Sequence, residues 1–353
     1  MRAFVTGSTG LLGNNLVRAL LAQGYEVRAL TRSMEKFQRL FGRTEAIPVL
    51  GDIQSIDNFA DQLSGCDVVF HTAAYFREYY QSGSHAESLQ AINVDATLAL
   101  IDAAAVHGVQ AFVHTSSSGT VGPAADGGPG NEDSPPTPKQ LRNLYFRSKH
   151  AGNQRIRALK PAQGMRVIEI LPGWMFGPGD EGPTAAGQMV LDVLERKLPA
   201  IPDGGNCMVD ARDVAAAMIA AASHPHGARF LVAGQFHTLR ELVDVIASLG
   251  AVPPPRFDLP AWFAVPYAAL VQQVSHWLKQ PTVVSVDGVR SVTGKERMDS
   301  SKAERGLGIQ FRPLAESIAS TIAWYQQTGR VPATNPSSST GPAVIGQGTP
   351  LDH

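Results

Sequence analysis

Short apolar runs alternate with longer segments in which apolar residues recur every three to four positions, from the N-terminus to about residue 175. The first run, Ala3-Phe4-Val5, predicts a buried strand. The next segment predicts a helix reaching about Gln23, with Leu16 and Leu20, and Val17 and Leu21, on one stripe and Gly24 where a left-handed C-cap belongs. Further strands are predicted over 26–31, 47–50, 67–71, 111–114 and 167–171. A helix is predicted over 89–107, where Val94, Leu98, Ile101 and Ala105 share a face and His107 closes the last turn without chemistry; helical character resumes at Leu141. Between the last two strands, 119–138 is rich in glycine and proline and reads as a long surface excursion. Beyond 175 the pattern loosens, although 210–223 and 238–249 still predict helices.

The turn between the first strand and helix, Thr6-Gly7-Ser8-Thr9-Gly10-Leu11-Leu12-Gly13, carries the strongest signal. Glycines at 7, 10 and 13 allow a tight turn, a close approach of backbone to a diphosphate, and close helix–strand packing, and the helix N-terminus offers N–H groups to the same anion. Followed by alternating strands and helices, this loop predicts an α/β fold, a Rossmann-type doubly wound parallel sheet binding a dinucleotide. Thr6, Thr9, Leu11 and Leu12 are cofactor candidates with the glycines. Arg32, just past the second strand, stands where an acid would take the ribose 2′-hydroxyl, and an arginine there suits a 2′-phosphate. This favours NADP(H), with NAD(H) the alternative and Arg28 and Lys36 as competitors for the phosphate. Asp52 and Ile53 follow the third strand and are placed at the adenine edge. After the fourth strand, the small residues of Thr72-Ala73-Ala74 let a cofactor lie close.

Residues 1–175 therefore read as the nucleotide-binding domain, to which parts of 205–235 return. Residues 176–330 read mainly as a substrate-binding region with smaller, mixed structure, and 331–353 have the composition of a disordered tail. The 353 residues are 44% hydrophobic with a formal net charge of −1, which argues against a nucleic-acid partner held by phosphate neutralisation. Two cysteines, Cys66 and Cys207, give neither a disulfide framework nor metal-ligand spacing. The N-terminus is not patterned as a signal peptide and no uninterrupted apolar stretch is long enough to span a bilayer, so a cytoplasmic enzyme acting on a small molecule is expected. Residues 259–280 are rich in aromatics and nearly free of charge. They read as a buried helix or one packed on a substrate pocket, with weak seating on a membrane surface as the sharper alternative.

Tyr145 and Lys149, four apart, share a helix face. A phenol is a poor acid–base group at neutral pH, and an ammonium one turn away favours its ionised form and can hold a ribose. Ser117 or Ser118, past the fifth strand, would give a hydroxyl to a substrate carbonyl oxygen.

The glycine loop, Gly51-Asp52, His71-Thr72-Ala73-Ala74, Asn93-Val94, the 115–118 cluster, YFRSK at 145–149 and Pro172-Gly173 occur in the order of the extended short-chain dehydrogenase/reductases. The sequence resembles most the dihydroflavonol-4-reductase-like and 3β-hydroxysteroid-dehydrogenase-like branch of this epimerase/dehydratase superfamily, over about residues 1–330 and including 299–308. The resemblance implies Tyr145 as the acid–base, Lys149 as its partner and ribose ligand, and Ser117 as the carbonyl-orienting hydroxyl, with Ser118 its near rival. It implies Asn93 as an organiser of active-site water, Pro172 and Gly173 against the nicotinamide, and a homodimer through the helices near 88–107 and 141–160. The family's sugar-nucleotide dehydratases carry an acidic pair after the strand-end serine, absent here, and its epimerases usually carry an acid where Arg32 stands.

The expected reaction is hydride transfer to or from a carbonyl/alcohol pair, with Tyr145 moving the proton. Tyr75, Phe76, Tyr79 and Tyr80 after the fourth strand, and Trp174, Met175 and Phe176 after the sixth, point to an apolar or aromatic substrate. A sugar-nucleotide epimerase and a non-catalytic NADP sensor are the alternatives; the intact Tyr145–Lys149 pair argues against the sensor.

Overall fold

The computed structural model describes residues 1–76, 84–277 and 286–332; the Tyr79-Tyr80 pair, 278–280 and nearly all of the tail lie outside the described residues. The elements run β1 (Arg2–Thr6), α1 (Leu11–Ala22), β2 (Glu26–Thr31), α2 (Met34–Phe41), β3 (Ile47–Leu50), β4 (Val68–His71), α3 (Ala86–Gln90), α4 (Thr97–Val106), β5 (Ala111–Thr115), α5 (Leu144–Ala158) and β6 (Arg166–Pro172). The chain continues through β7 (Trp174–Phe176), α6 (Ala185–Leu194), β8 (Ala200–Pro202), β9 (Gly205–Asp210), α7 (Ala211–Ala221), β10 (Arg229–Val232), β11 (Gln235–Thr238), α8 (Leu239–Leu249) and β12 (Phe257–Leu259). It closes with α9 (Ala261–Trp277), α10 (Val286–Val292), α11 (Ser301–Leu307) and α12 (Leu314–Gln327).

The seven-stranded sheet has the order β3-β2-β1-β4-β5-β6-β10, and every neighbouring pair in it is parallel. Its central strands are buried on both faces, which is why β1 and β4 read as continuous apolar runs. Strand alternation sorts their side chains: Val5 and Phe70 join α1 and α7 on one face, while Phe4 and Val69 join α4 and α5 on the other. Smaller sheets, β11-β9-β7 and β12-β8, lie with α6, α8 and α12 over a third core built on Phe176, Leu242, Ile246, Ile318 and Tyr325. At the edge strand β10, Glu132 Oε1 accepts the Leu231 N–H at 2.7 Å, and just past the strand Ser300 Oγ accepts the Ala233 N–H at 3.0 Å.

The helix predicted over 89–107 is interrupted. Residues Ala91–Ala96 form a π-helical turn between α3 and α4, and the Thr97 hydroxyl reaches back to the Asn93 carbonyl at 3.3 Å. Such a turn inserts an extra residue without changing the apolar pattern, so periodicity does not reveal it. Ala86–Val106 is the one segment among the described residues long and apolar enough to cross a membrane by length and composition, although polar residues interrupt it, and 56% of its most apolar 18-residue window is buried inside the protein.

Candidate active site

One cavity of about 960 Å³ runs along the C-terminal ends of the parallel strands into the smaller sheets, the place where such sheets bind ligands. At its floor lies the glycine loop. Gly7 has φ +64°, and a Cβ there would sit 2.6 Å from the Ala73 nitrogen and 2.7 Å from Thr72 Oγ1. A Cβ at Gly13 would sit 2.2 Å from the Gly7 carbonyl oxygen. Gly10 is the N-cap of helix α1, which has no side chain capping it and no acid in its first turn, and Gly7, Thr9, Gly10, Leu11, Leu12 and Gly13 line the cavity. A backbone cradle at an uncapped helix start fits a diphosphate.

Thr6 does not line the cavity. Buried beneath it, Thr6 Oγ1 accepts the Ala73 N–H at 3.3 Å and donates to His71 Nδ1 at 2.8 Å. The direction follows from the far end of the chain: Thr97 donates to a carbonyl and so accepts from His71 Nε2, 3.0 Å away. Thr72 Oγ1 donates to the Thr6 carbonyl at 2.7 Å, so Thr6 shapes the 72–74 turn from below. Thr72, Ala73 and Ala74 themselves face the cavity.

Beyond the cradle, Arg32, Lys36, Asp52 and Ile53 line one end. The Arg32 side chain is 74% exposed and pairs loosely with Asp52, at 3.8 Å. Lys36 lies 3.8 Å from Glu181. Arg28 is not a competitor for a phosphate here: its guanidinium donates to the carbonyls of Gln62, at 2.6 Å, and Ser64, at 3.3 Å, away from the cavity.

Tyr145, Lys149, Ser117 and Ser118 all line this same cavity. Asn143 caps α5 by accepting the Phe146 N–H, and the buried face of the helix carries Tyr145, Ser148, Lys149, Gly152 and Asn153. The Tyr145 ring packs edge-on against Phe76, with centroids 4.9 Å apart. Lys149 is 2% exposed, and its Nζ donates to the Thr115 carbonyl at 2.8 Å. Burial pushes its ammonium down to about 7. Behind it His71 and His114 stack at 5.6 Å, and burial followed by the Lys149 charge lowers both, His71 to about 3, so both are neutral.

Gly119 brings the serine loop onto α5, because a Cβ there would lie 2.2 Å from the Phe146 ring. Ser117 Oγ accepts the Gly119 N–H at 3.1 Å and retains its own proton to donate. Ser116 is occupied, accepting from Asn153 Nδ2 at 2.7 Å.

Asn93 does not line the cavity, contrary to the water-organising place that the family resemblance implies. Its amide accepts the Tyr75 N–H at 2.7 Å and donates to the Tyr75 carbonyl and to Ser148 Oγ, each at 3.1 Å. It thereby fastens the loop after β4 to α5.

Past the serines the wall is formed by Tyr75, Phe76, Trp174 and Met175, with Pro172 and Gly173 at its near edge. A Cβ at Gly173 would lie 2.4 Å from the Ala233 carbonyl oxygen, so only glycine fits. The far wall is contributed by Met189, Leu198, Val243, Phe263, Tyr267, Val289, Val292 and Met298. Most of these were not predicted as site residues; the charge-free composition of 259–280 was the one signal available, and its helix does border the pocket. The opposite side of α9 is open, with Trp262 78% and Leu270 63% exposed, so it is not a buried helix.

The sequence matches the family model for the NAD-dependent epimerase/dehydratase family over residues 3–233. A protein of Synechocystis sp. provisionally named a dihydroflavonol 4-reductase is 31% identical over 337 residues, covering 93% of this chain and 95% of that one. Sterol demethylase protein B of Methylococcus capsulatus is 30% identical, covering 94% and 100%. A 4-hydroxy-2-methyl-3-oxo-4-farnesyl-3,4-dihydroquinoline-1-oxide ketoreductase of Stigmatella aurantiaca is 30% identical, covering 88% and 92%. Among solved structures, gox2253 superposes with a TM-score of 0.78 at 28% identity, covering 93% of this chain and 98% of that one.

Proposed function

The chain belongs to the NAD-dependent epimerase/dehydratase family, as an NAD(P)-dependent short-chain dehydrogenase/reductase, and we propose that it is an NADP(H)-dependent reductase of bulky apolar ketones or aldehydes. The observation that carries this reading is the composition of the cavity beyond Ser117. Its wall is mainly aliphatic and aromatic, its polar members Gln188, Asp192, Asn206 and Glu296 are neutral or acidic, and the one lysine lining it there, Lys197, is paired with Glu195. A sugar diphosphate needs unpaired cations at that position, whereas a prenylated, aromatic or steroidal skeleton needs what the wall offers. The sterol and farnesyl-quinoline names of two relatives support the same class.

The residues fit a dinucleotide: the Gly7–Gly13 cradle would hold its diphosphate, and Arg32 with Lys36 would face the 2′-phosphate. When bound, the nicotinamide supplies the hydride. Ser117, its hydroxyl lone pair engaged by Gly119 N–H, donates its proton as a hydrogen bond to the substrate oxygen. Tyr145 delivers the proton to that oxygen, and the Lys149 charge favours the phenolate left behind. Asn93 keeps Tyr75 and α5 in register.

The test is Tyr145→Phe, assayed by NADPH consumption with aromatic, prenylated and steroid-like carbonyls. General acid catalysis contributes about 10²–10⁴-fold, so turnover falls by at least about 100-fold while NADPH affinity stays near wild type. Unchanged turnover refutes the assignment.

A further inference from the structure

Beyond the cofactor end the cavity is lined by two acids that the reduction itself does not use, Asp192, which accepts from Gln188 Nε2 at 2.8 Å, and Glu296. Glu296, between α10 and α11, lines the same cavity as the apolar Val292, Met298 and Phe263. The structure fixes it from two sides. Its Oε2 accepts from Gln140 Nε2 at 2.6 Å, and Gln140 also donates to the Val121 carbonyl at 2.7 Å. The Gln140 side-chain oxygen, Oε1, accepts from the Thr137 N–H and hydroxyl, which fixes the amide orientation. The Glu296 backbone carbonyl accepts from the Cys207 thiol. Val121 in turn donates its N–H to the Ser118 carbonyl at 2.9 Å, so Glu296 is tied by a short hydrogen-bonded path to the turn that carries the active serines. Its second oxygen, Oε1, makes no hydrogen bond among the described residues. A carboxylate oxygen closed off from water without a hydrogen bond is costly; burial raises the proton affinity of Glu296, against the opposing Gln140 hydrogen bond and Lys139 charge.

We propose that Glu296 is a specificity-determining residue, accepting a hydrogen bond through Oε1 from a hydroxyl carried by the substrate beyond its reacting carbonyl. The proposal rests on the reductase reading of this cavity and narrows its substrate class to hydroxylated apolar carbonyl compounds. An acceptor oxygen fixed in place discriminates strongly, because an analogue lacking the hydroxyl shuts Oε1 away from water without supplying it a hydrogen bond.

Two matched probe pairs test it: dihydroquercetin against eriodictyol, which lacks only the hydroxyl beside the ketone, and 5α-dihydrotestosterone against 5α-androstan-3-one, which lacks only the remote hydroxyl. Binding of each to the NADPH-loaded protein is measured calorimetrically, and turnover separately, for wild type, Glu296→Gln and Glu296→Leu. Wild type binds the hydroxylated member of at least one pair about 10-fold or more tightly, as expected for loss of a hydrogen bond to a charged group. Glu296→Leu abolishes or reverses that ratio, Glu296→Gln reduces it, and NADPH affinity is unchanged in both. A wild-type ratio near one in both pairs, or a ratio that survives Glu296→Leu, overturns the proposal even if both members are reduced. Discriminating binding with no turnover of any probe instead counts against the reductase reading and leaves the assignment of Glu296 supported.

Discussion

Lys149→Met tests both the electrostatics and the chemistry of the site, because it moves stability and activity in opposite directions. In the folded chain the Lys149 ammonium is buried, has one carbonyl partner and is lowered from 10.5 to about 7. The unfolded chain holds that proton up to 10.5, so between these two values the unfolded state binds more protons and stability rises with pH. At pH 6 a drop of about 3.5 pH units corresponds to about 5 kcal/mol of destabilisation, and at pH 9 to about 2 kcal/mol. Methionine fills the space without the charge but leaves the Thr115 carbonyl unpaired, which costs about 1–3 kcal/mol. Lys149→Met therefore stabilises the apoprotein by about 2–4 kcal/mol at pH 6 and by almost nothing at pH 9, while turnover collapses. Thermal or urea unfolding of both proteins across this range reads the difference directly. A variant that is destabilised equally at both pH values refutes the burial argument.

Two further substitutions probe the cofactor. Arg32→Ser shifts the ratio of kcat/KM values toward NADH, and an unchanged ratio assigns the 2′-phosphate to Lys36, since Arg28 is tied to the 62–64 carbonyls. Gly13→Ala places a Cβ 2.2 Å from the Gly7 oxygen, so helix and loop must part by roughly 1 Å at about 1–3 kcal/mol. Cofactor affinity, followed by nicotinamide fluorescence, falls at least 10-fold, and wild-type affinity contradicts the cradle.

The parts of the site legible in the sequence are those made by local geometry. The glycine loop is a strand, a turn and a helix in one continuous stretch, and Tyr145 and Lys149 meet because they are one turn apart. Small residues after β4 and the serines after β5 follow from the rule that open sheets bind at strand ends. What escaped detection depends on distant packing. Thr6 has the right position in the loop but turns to His71, whose strand lies beside β1. The π turn at Ala91–Ala96 directs Asn93 to Tyr75, a partner that no periodicity reveals. The far wall joins α6, α8, α9 and α10, whose residues form ordinary amphipathic or apolar patterns, and Glu296 gains meaning only through Gln140, more than a hundred residues earlier.

The proposed function requires a reductase that uses an exchangeable NADP(H). The most direct measurement is the absorbance spectrum of the freshly purified protein for retained nucleotide, followed by fluorescence titration with NADPH and NADH. The expected result is a protein free of tightly held cofactor that binds NADPH reversibly and in preference to NADH. Stoichiometric NAD that survives purification and does not exchange would contradict it and point to an epimerase that regenerates its own cofactor.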